Sequence, residues 1–378
     1  MEEHDPQTVR KTFKYKLKPT PEQERALAFV LRCCRELYNA ALQERRDAWQ
    51  KCGVSVTVAQ QSAQLPDIKQ VRPEYCDIHS QVLQDVLTRL DKAFQAFFRR
   101  IREGQTPGSP RFQGSNRYDS FTSKQFGNGA TLDNGYLVLS KIGRLAMRWS
   151  RPLEGRPKTV TIRREADGWY GCFSCADVPV QPLPAPGHET GIDLGIEAFA
   201  TLSNGTHIFH PGWYRKAERA LKTAQRRVSR RKKGSNRHRK AVTLLARAHQ
   251  KVRRQRLDVH HKTALALVRA HDVLYHEDVL IRNMLKNHHL AKSIQDAGWS
   301  QVLNILTYKA ACAGRRVVAV TPAFTSQRCS GPGCGVLVSK GLSVRWHRRP
   351  ECGTSLHRDH NAARNIERLG QSRRGAVA

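Results

Sequence analysis

The sequence predicts a multidomain chain, α+β in its first half and α/β in its second, and three features predict it. An alternating apolar and basic stretch at 8–18 is answered by short strand signals over 122–184, so that together they can close a small β-barrel. Two long helical stripes lie between them. Beyond a Pro-rich break, strands ending in carboxylates alternate with helices, the rhythm of a mixed α/β domain.

Composition narrows the function. The 378 residues are 39% apolar, enough for a core in each of two or three domains. The 65 Lys and Arg against 32 Asp and Glu leave a formal charge of +33, which points to a polyanionic partner and to nucleic acid before membrane. No apolar run reaches transmembrane length, and the acidic start Met1-Glu-Glu-His-Asp lacks the parts of a secretory signal. The ten cysteines form no disulfide framework, which suits a reducing cytosol.

In order, the strand at 8–18 stops at Pro19, and Thr20 caps a helix with Pro21, Glu22 and Glu24 in its first turn. Leu27, Val30, Leu31, Cys34, Leu37, Tyr38 and Leu42 carry that helix to about Trp49. A second helix, from about Ile78 to Ile101, puts Val82, Leu83, Val86, Leu87, Leu90, Ala93, Phe94, Phe97 and Phe98 on one face, a stripe that reads as core and not as a ligand platform. Arg99 to Phe121 reads as a surface loop. Strand signals follow at 135–139, 144–149, 159–163 and 169–175, with turns at Asp133-Asn-Gly and Asp167-Gly. Cys172 and Cys175, three apart on a strand, point to opposite faces and do not converge on a metal. Pro179–Pro186 reads as a linker.

The chemistry lies beyond it. Thr190-Gly-Ile-Asp193-Leu-Gly195 is an apolar strand broken by one carboxylate, returning at an Asn204-Gly205 hairpin. Such a charge is costly unless paired, so Asp193 is either hydrogen-bonded structurally or a metal ligand. A second strand, Ala270–Asp278, ends in Glu277 and Asp278, and Asp359 opens a short amphipathic helix, where it is either a cap or a further ligand. Three such acids are the set a two-metal phosphodiesterase needs. From Trp213 to Asp258, 18 Lys and Arg face only Glu218 and Asp258, on a helical pattern broken at Gly234-Ser-Asn. Without an anionic partner that hairpin would repel itself. Arg226, Arg227, Arg230, Arg231, Lys232 and Lys233 therefore read as a surface tracking a phosphate backbone and not as a merely solvated face. A basic loop (Arg282 to Lys292), a helix with Asp296, Trp299 and Leu303 and the strand Arg316–Val320 complete a βαβ rhythm like that of ribonuclease H. Cys329, Cys334, His347 and Cys352, on short Gly/Pro turns, look like a zinc site.

Five blocks carry a family resemblance. Gly191-Ile-Asp-Leu-Gly195, His276-Glu277-Asp278, Ser293-Ile-Gln-Asp-Ala-Gly-Trp299, Thr325-Ser-Gln-Arg-Cys329 and Arg358-Asp-His-Asn-Ala-Ala-Arg-Asn-Ile366 resemble the signature blocks of the TnpB family, related to type V CRISPR effectors. The likeness extends from Tyr15-Lys-Leu-Lys-Pro19 through Gly108-Ser-Pro-Arg-Phe112. It implies an RNA-guided DNA endonuclease of a transposable element that cuts guide-complementary DNA beside a short flanking motif.

The implied architecture is an oligonucleotide-binding-like β-barrel wedge domain (1–20 and 123–184) and a helical recognition lobe (21–122). An RNase H-like RuvC nuclease domain follows (185–326), with a basic helical insertion at 213–262. A zinc-ribbon-like module (327–356), a closing RuvC helix (357–370) and a disordered basic tail (371–378) end the chain. The resemblance makes Asp193, Glu277 and Asp359 the catalytic ligands of two Mg²⁺ ions, with Mn²⁺ as a substitute and Asp278 as a helper. It sets Ser80, Gln84 and Thr122 against the flanking DNA motif. The implied partners are a structured guide RNA from the element end and double-stranded target DNA, met by a monomer in the cytoplasm at the nucleoid, with no membrane.

Relatives carry Cys-x-x-Cys twice, whereas here Cys329 and Cys334 are five apart and Arg349 replaces a cysteine. His347 is the expected fourth zinc ligand, His357 its rival, and a degenerate ribbon held by hydrogen bonds the alternative. Two other functions compete: a guided DNA-binding repressor that no longer cuts, and a transposase acting directly on element ends.

Overall fold

Alternation along Thr8–Lys18 (β1) buries Phe13, Tyr15 and Leu17 and keeps Lys14 and Lys16 off the core, as a period of two requires. The computed structural model describes residues 7–375 except 116 and 342, in two units, Met1–Pro179 and Val180–Ala378.

In the first unit, Thr20 caps Pro21–Cys52 (α1) as expected. Its hydroxyl accepts from the Gln23 N–H, the Gln23 side chain accepts from the Thr20 N–H, and Gly53 at φ +66° closes the far end. Val58–Ala63 (α2), Leu65–Val71 (α3) and a 3₁₀ turn at Pro73–Asp77 are too short for a periodic stripe to show in the sequence. Ser80–Arg102 (α4) buries Val82, Leu83, Val86, Leu87 and Leu90. The expectation that its whole stripe is core is corrected beyond that point: Phe94 is half-buried and Phe98 is 54% exposed. Arg89 makes the bonds from α4 to the neighbouring sheet strand, to the Ser120 carbonyl and the Thr122 hydroxyl, and the last turns of the helix have outrun that support.

Ser120–Ser123 (β2), Ala130–Asp133 (β3), Tyr136–Leu139 (β4), Gly143–Arg148 (β5), Arg156–Glu165 (β6) and Gly168–Pro179 (β7) complete one antiparallel sheet with β1. Its order is β2-β6-β7-β1-β5-β4-β3. Asn134 and Gly135 both take positive φ at the β3–β4 hairpin. The sheet curls because β1 pairs with β7 along most of its length and passes to β5 at Lys16. Among the described residues the ladder order leaves β2 and β3 at its two ends, so hydrogen bonding does not close the expected barrel. Helices and sheet share one core, with Leu27, Leu83 and Phe173 fully buried in it.

In the second unit, Glu189–Asp193 (β8), Ala200–Leu202 (β9) and His207–Ile208 (β10) precede a long helical hairpin, Trp213–Ser229 (α5) and Asn236–Ala270 (α6). Val273–Glu277 (β11), Ile281–Met284 (α7), His288–Ala297 (α8), Trp299–Cys312 (α9) and Arg316–Val320 (β12) follow. Trp346–Arg349 (β13) pairs with Thr354–His357 (β14), and Arg358–Gly375 (α10) ends the described chain. The sheet runs β10-β9-β8-β11-β12, with β8, β11 and β12 parallel and β9 and β10 antiparallel. The Pro-rich stretch expected as a linker begins where the two units divide and is hydrogen-bonded to the second. Gln181 and Leu183 donate to the carbonyls of Cys312 and Ala313 (2.9 and 3.2 Å), and Arg315 binds both Asp272 and the Pro184 carbonyl.

Two glycines seat α10 on the sheet. A Cβ on Gly191 would fall 2.0 Å from the Ala363 carbonyl oxygen, and one on Gly370 would fall 1.9 Å from the Tyr275 ring. Because the first obstacle is backbone, Gly191→Ala is expected to lower stability by about 1–3 kcal/mol, the range of overpacked cores. A denaturant midpoint unchanged from the parent would contradict this seating of α10. The helix also runs past the expected boundary at 370: Arg373 donates to the Thr321 hydroxyl at 2.6 Å and to the Ala319 carbonyl at 3.3 Å. The disorder expected from 371 is thus corrected through Gly375, and residues 376–378 lie outside the described residues. Among the described residues no helix is long and apolar enough to cross a membrane.

Candidate active site

Asp193 and Glu277 are the last residues of the neighbouring parallel strands β8 and β11, and the register Ile192↔His276 sets them side by side. Both therefore stand at the carboxyl edge of the sheet, where open α/β sheets build their sites. Asp359, second residue of α10, is carried over β8 by the glycine seat, and its Oδ2 comes within 3.5 Å of the Cβ position of Gly195. A role for Asp359 as helix cap is taken by its neighbour, since His357 Nδ1 accepts the Asp359 N–H at 3.3 Å.

Burial and the charges of Glu277 and Asp359 push the Asp193 carboxyl well above the usual carboxylate range, with Arg358 opposing. Burial pushes Glu277 up as well, partly offset by the hydrogen bond that the Thr325 hydroxyl donates to its Oε1. Crowded carboxylates with hard oxygen donors are what a divalent cation relieves, so the donor set fits such an ion. Asp278 is exposed, with its N–H bound to the Val320 carbonyl at 2.8 Å.

Cys329, Cys334 and Cys352 gather their sulfurs within 4.8 Å of one another, the first and last 3.6 Å apart. Gly331 makes this turn possible, because a Cβ there would sit 2.3 Å from the Thr354 hydroxyl and against two of the sulfurs. Hydrogen bonds from Thr354 lower the Cys352 thiol to about 7, while burial raises Cys329. Three soft donors, one already acidified, fit zinc. The expected fourth ligand, His347, lies outside that group of three sulfurs, and its Nε2 has no hydrogen-bond partner among the described residues. It is buried on β13 with Nδ1 2.5 Å from Lys340 Nζ, and spacing along the chain does not reveal that direction. His357 is elsewhere too, between Asp359 Oδ2 (3.9 Å) and Glu197 Oε2 (4.0 Å).

One polar helix face ties the thiols to the carboxylates. Asn361 accepts the Ser330 N–H (2.9 Å) and donates to the Arg328 carbonyl (2.8 Å), and Asn365 donates to Arg328 and to Thr325, the residue that binds Glu277. Neither asparagine was assigned a role from sequence. The available signal was two amides four apart on the buried side of an amphipathic helix, where polar groups need partners.

The basic run forms the tip of the α5–α6 hairpin. Gly234 at φ +84° makes the turn, the Ser235 hydroxyl accepts the His238 N–H, and Arg226, Arg227, Arg230, Arg231, Lys232 and Lys233 are all exposed. The boundary expected at 262 falls inside α6, whose later turns bury His260, Ala264, Leu267 and Val268. Asp296, also missed, anchors the hairpin base: 4% exposed, it accepts from the Tyr214 N–H (3.2 Å) and Arg256 Nη2 (3.1 Å). In the first unit, Ser80 and Gln84 are exposed one turn apart on α4. The Thr122 hydroxyl is instead held by Arg89 (2.6 Å) and Thr161 (2.8 Å).

Family models match three segments: "Probable transposase" over 173–288, "Cas12f1-like, TNB domain" over 299–366 and "Helix-turn-helix domain" over 9–53. In the last, the structure has a strand and one continuous helix. A Streptomyces pristinaespiralis protein named "Putative RNA-guided DNA endonuclease" is 38% identical over 373 residues, spanning 96% of this chain and 90% of its own. The Escherichia coli K12 "Putative RNA-guided DNA endonuclease InsQ" is 30% identical over 381 residues, spanning 95% and 92%. The protein in "Cryo-EM structure of the Cas12f1-sgRNA-target DNA complex" shares the fold, with a TM-score of 0.58 at 12% identity over 96% of this chain and 99% of that one. Identity at this level over nearly the whole length, with the motif blocks in order, means that the chain belongs to the TnpB family.

Proposed function

We propose that this protein is an RNA-guided DNA endonuclease of a transposable element, cutting guide-complementary DNA beside a short flanking motif. The observation that carries the reading is the gathering of Asp193, Glu277 and Asp359 at one sheet edge, with the Asp193 carboxyl raised by burial and by the other two charges. The names of its relatives support it. In this reading the curled sheet serves as wedge domain, α1–α4 as recognition lobe, and the five-stranded sheet with α10 as a RuvC-like nuclease domain.

Asp193, Glu277 and Asp359 would hold two Mg²⁺ ions, or Mn²⁺, which supply charge stabilisation at the scissile phosphate and acidify the attacking water. Thr325 orients Glu277, and His357 takes the Asp359 N–H so that its carboxylate stays available. Ser80 and Gln84 would face the flanking motif, with Thr122 fixing Arg89 behind them.

Cys329, Cys334 and Cys352 would hold zinc as a fold element of the 327–356 module. Cys352→Ser is expected to take bound zinc from roughly one ion per chain to near none in metal analysis. Full zinc retention would contradict the ligand assignment.

The test of function is cleavage, in Mg²⁺, of a plasmid library carrying the guide-complementary segment beside a randomised flank. Loss of plasmids sharing one flank is the expected result. Guided binding with every plasmid intact would contradict cutting and leave a guided repressor.

A further inference from the structure

We propose that the cleft between α1, α2 and the last turns of α4 holds an unpaired RNA nucleobase, stacked on aromatic rings and fixed by Arg45. The inference rests on the reading of this chain as a nucleic-acid binder. The cleft encloses about 830 Å³, within the range of small-ligand sites. Trp49, Phe94, Phe97 and Phe98 line it, with Trp49 65% and Phe98 54% exposed. Phe98 lies 5.2 Å from Phe97 and 6.3 Å from Phe94, centroid to centroid, so the rings form one continuous surface. An apolar patch of this kind marks an interaction site.

Arg45 supplies the polar half. Its side chain is 8% exposed, its Nε donates to Gln61 Oε1 (2.9 Å), its Nη1 pairs with Asp91 (3.1 Å), and its Nη2 is buried with no partner among the described residues. The guanidinium also lies 5.3 Å over Phe94. A buried charged donor left unmade is costly, and a turn of the Arg45 side chain toward the cleft would bring Nη2 to an acceptor held there. Asp91, the acid of the cleft, is engaged by Arg45 and by Gln95 (2.7 Å), which moderates its repulsion of a phosphate at the rim. A flat ring with carbonyl acceptors on its edge and a phosphate attached satisfies the aromatic floor, the free N–H and the basic chain together. An aliphatic ligand would leave Nη2 unmet. A paired base would have its stacking faces and edge already in use.

The probe is a short oligouridylate carrying 5-iodouridine, cross-linked by light to the full-length chain and mapped by peptide mass spectrometry. Affinity is measured in parallel for the parent and for Trp49→Ala with Phe98→Ala. Both rings are largely exposed, so the variant should melt with the parent, and the cross-link map needs no variant. Cross-links on the α1 end or the α4 end, with about tenfold weaker binding by the variant, are expected from base–aromatic stacking. Cross-links confined to the α5–α6 hairpin with unchanged affinity would overturn the cleft assignment and leave nucleic-acid binding standing. Absence of oligonucleotide binding would bring down both. A dimer in sedimentation that the variant dissociates would overturn it in favour of a contact between copies.

Discussion

Asp193→Asn is expected to lower guided DNA cutting by about 10³-fold or more, the rate equivalent of losing several kcal/mol of charge stabilisation at the phosphate. Guided DNA binding should stay within about twofold, because the hairpin and the first unit, which carry the phosphate contacts in this account, are untouched. The same variant should be more stable than the parent without metal. The folded-state values of Asp193 and Glu277 lie above the unfolded ones, so their contribution is full below the ordinary carboxylate range, about pH 4, and is lost as pH rises through the raised values. At neutral pH the metal-free parent therefore carries the cost of a carboxyl buried beside two other acids, which the asparagine removes. A melting temperature a few degrees higher for the variant, and smaller stabilisation by added Mg²⁺, is the expected pattern. Near-parental cutting by the variant would refute the assignment of Asp193.

Replacing Arg226, Arg227, Arg230 and Arg231 together by alanine should weaken nucleic-acid binding and flatten its salt dependence. Each phosphate contact contributes about 0.9 to the log–log salt slope on duplex DNA and about 0.7 on single strands, so a loss of about 3 is expected if all four engage. Stability should barely move, because these side chains are exposed at the hairpin tip while its anchor, Asp296 with Arg256 and Tyr214, stays in place. An unchanged slope in a folded variant would make the run a solvated helix face.

What the sequence revealed and what it hid divide along physical lines. The period of two in β1, the Thr20 cap and lone acids at the ends of apolar strands are signals carried within a few residues, and each reappears in the structure. Periodicity identifies the buried face of α4 but not how far its neighbours extend, so Phe97 and Phe98 read as core and instead line a cleft. Spacing sets His347 beside the three cysteines in sequence, while the position of its ring depends on strand β13 and on Lys340, which spacing does not show. Asp296, Asn361 and Asn365 act through residues distant in the chain, and a single sequence does not show which residues those are. The helices α2 and α3 are shorter than the two or three turns over which a stripe becomes visible.

The most direct test of the central claim is to sequence the RNA that copurifies with this chain when it is expressed with the flanking DNA of its own element. Guided recognition predicts a single abundant RNA species, constant along most of its length and ending in a variable segment. A heterogeneous mixture of cellular RNA fragments would contradict it, and would make the +33 charge a non-specific attraction for polyanions.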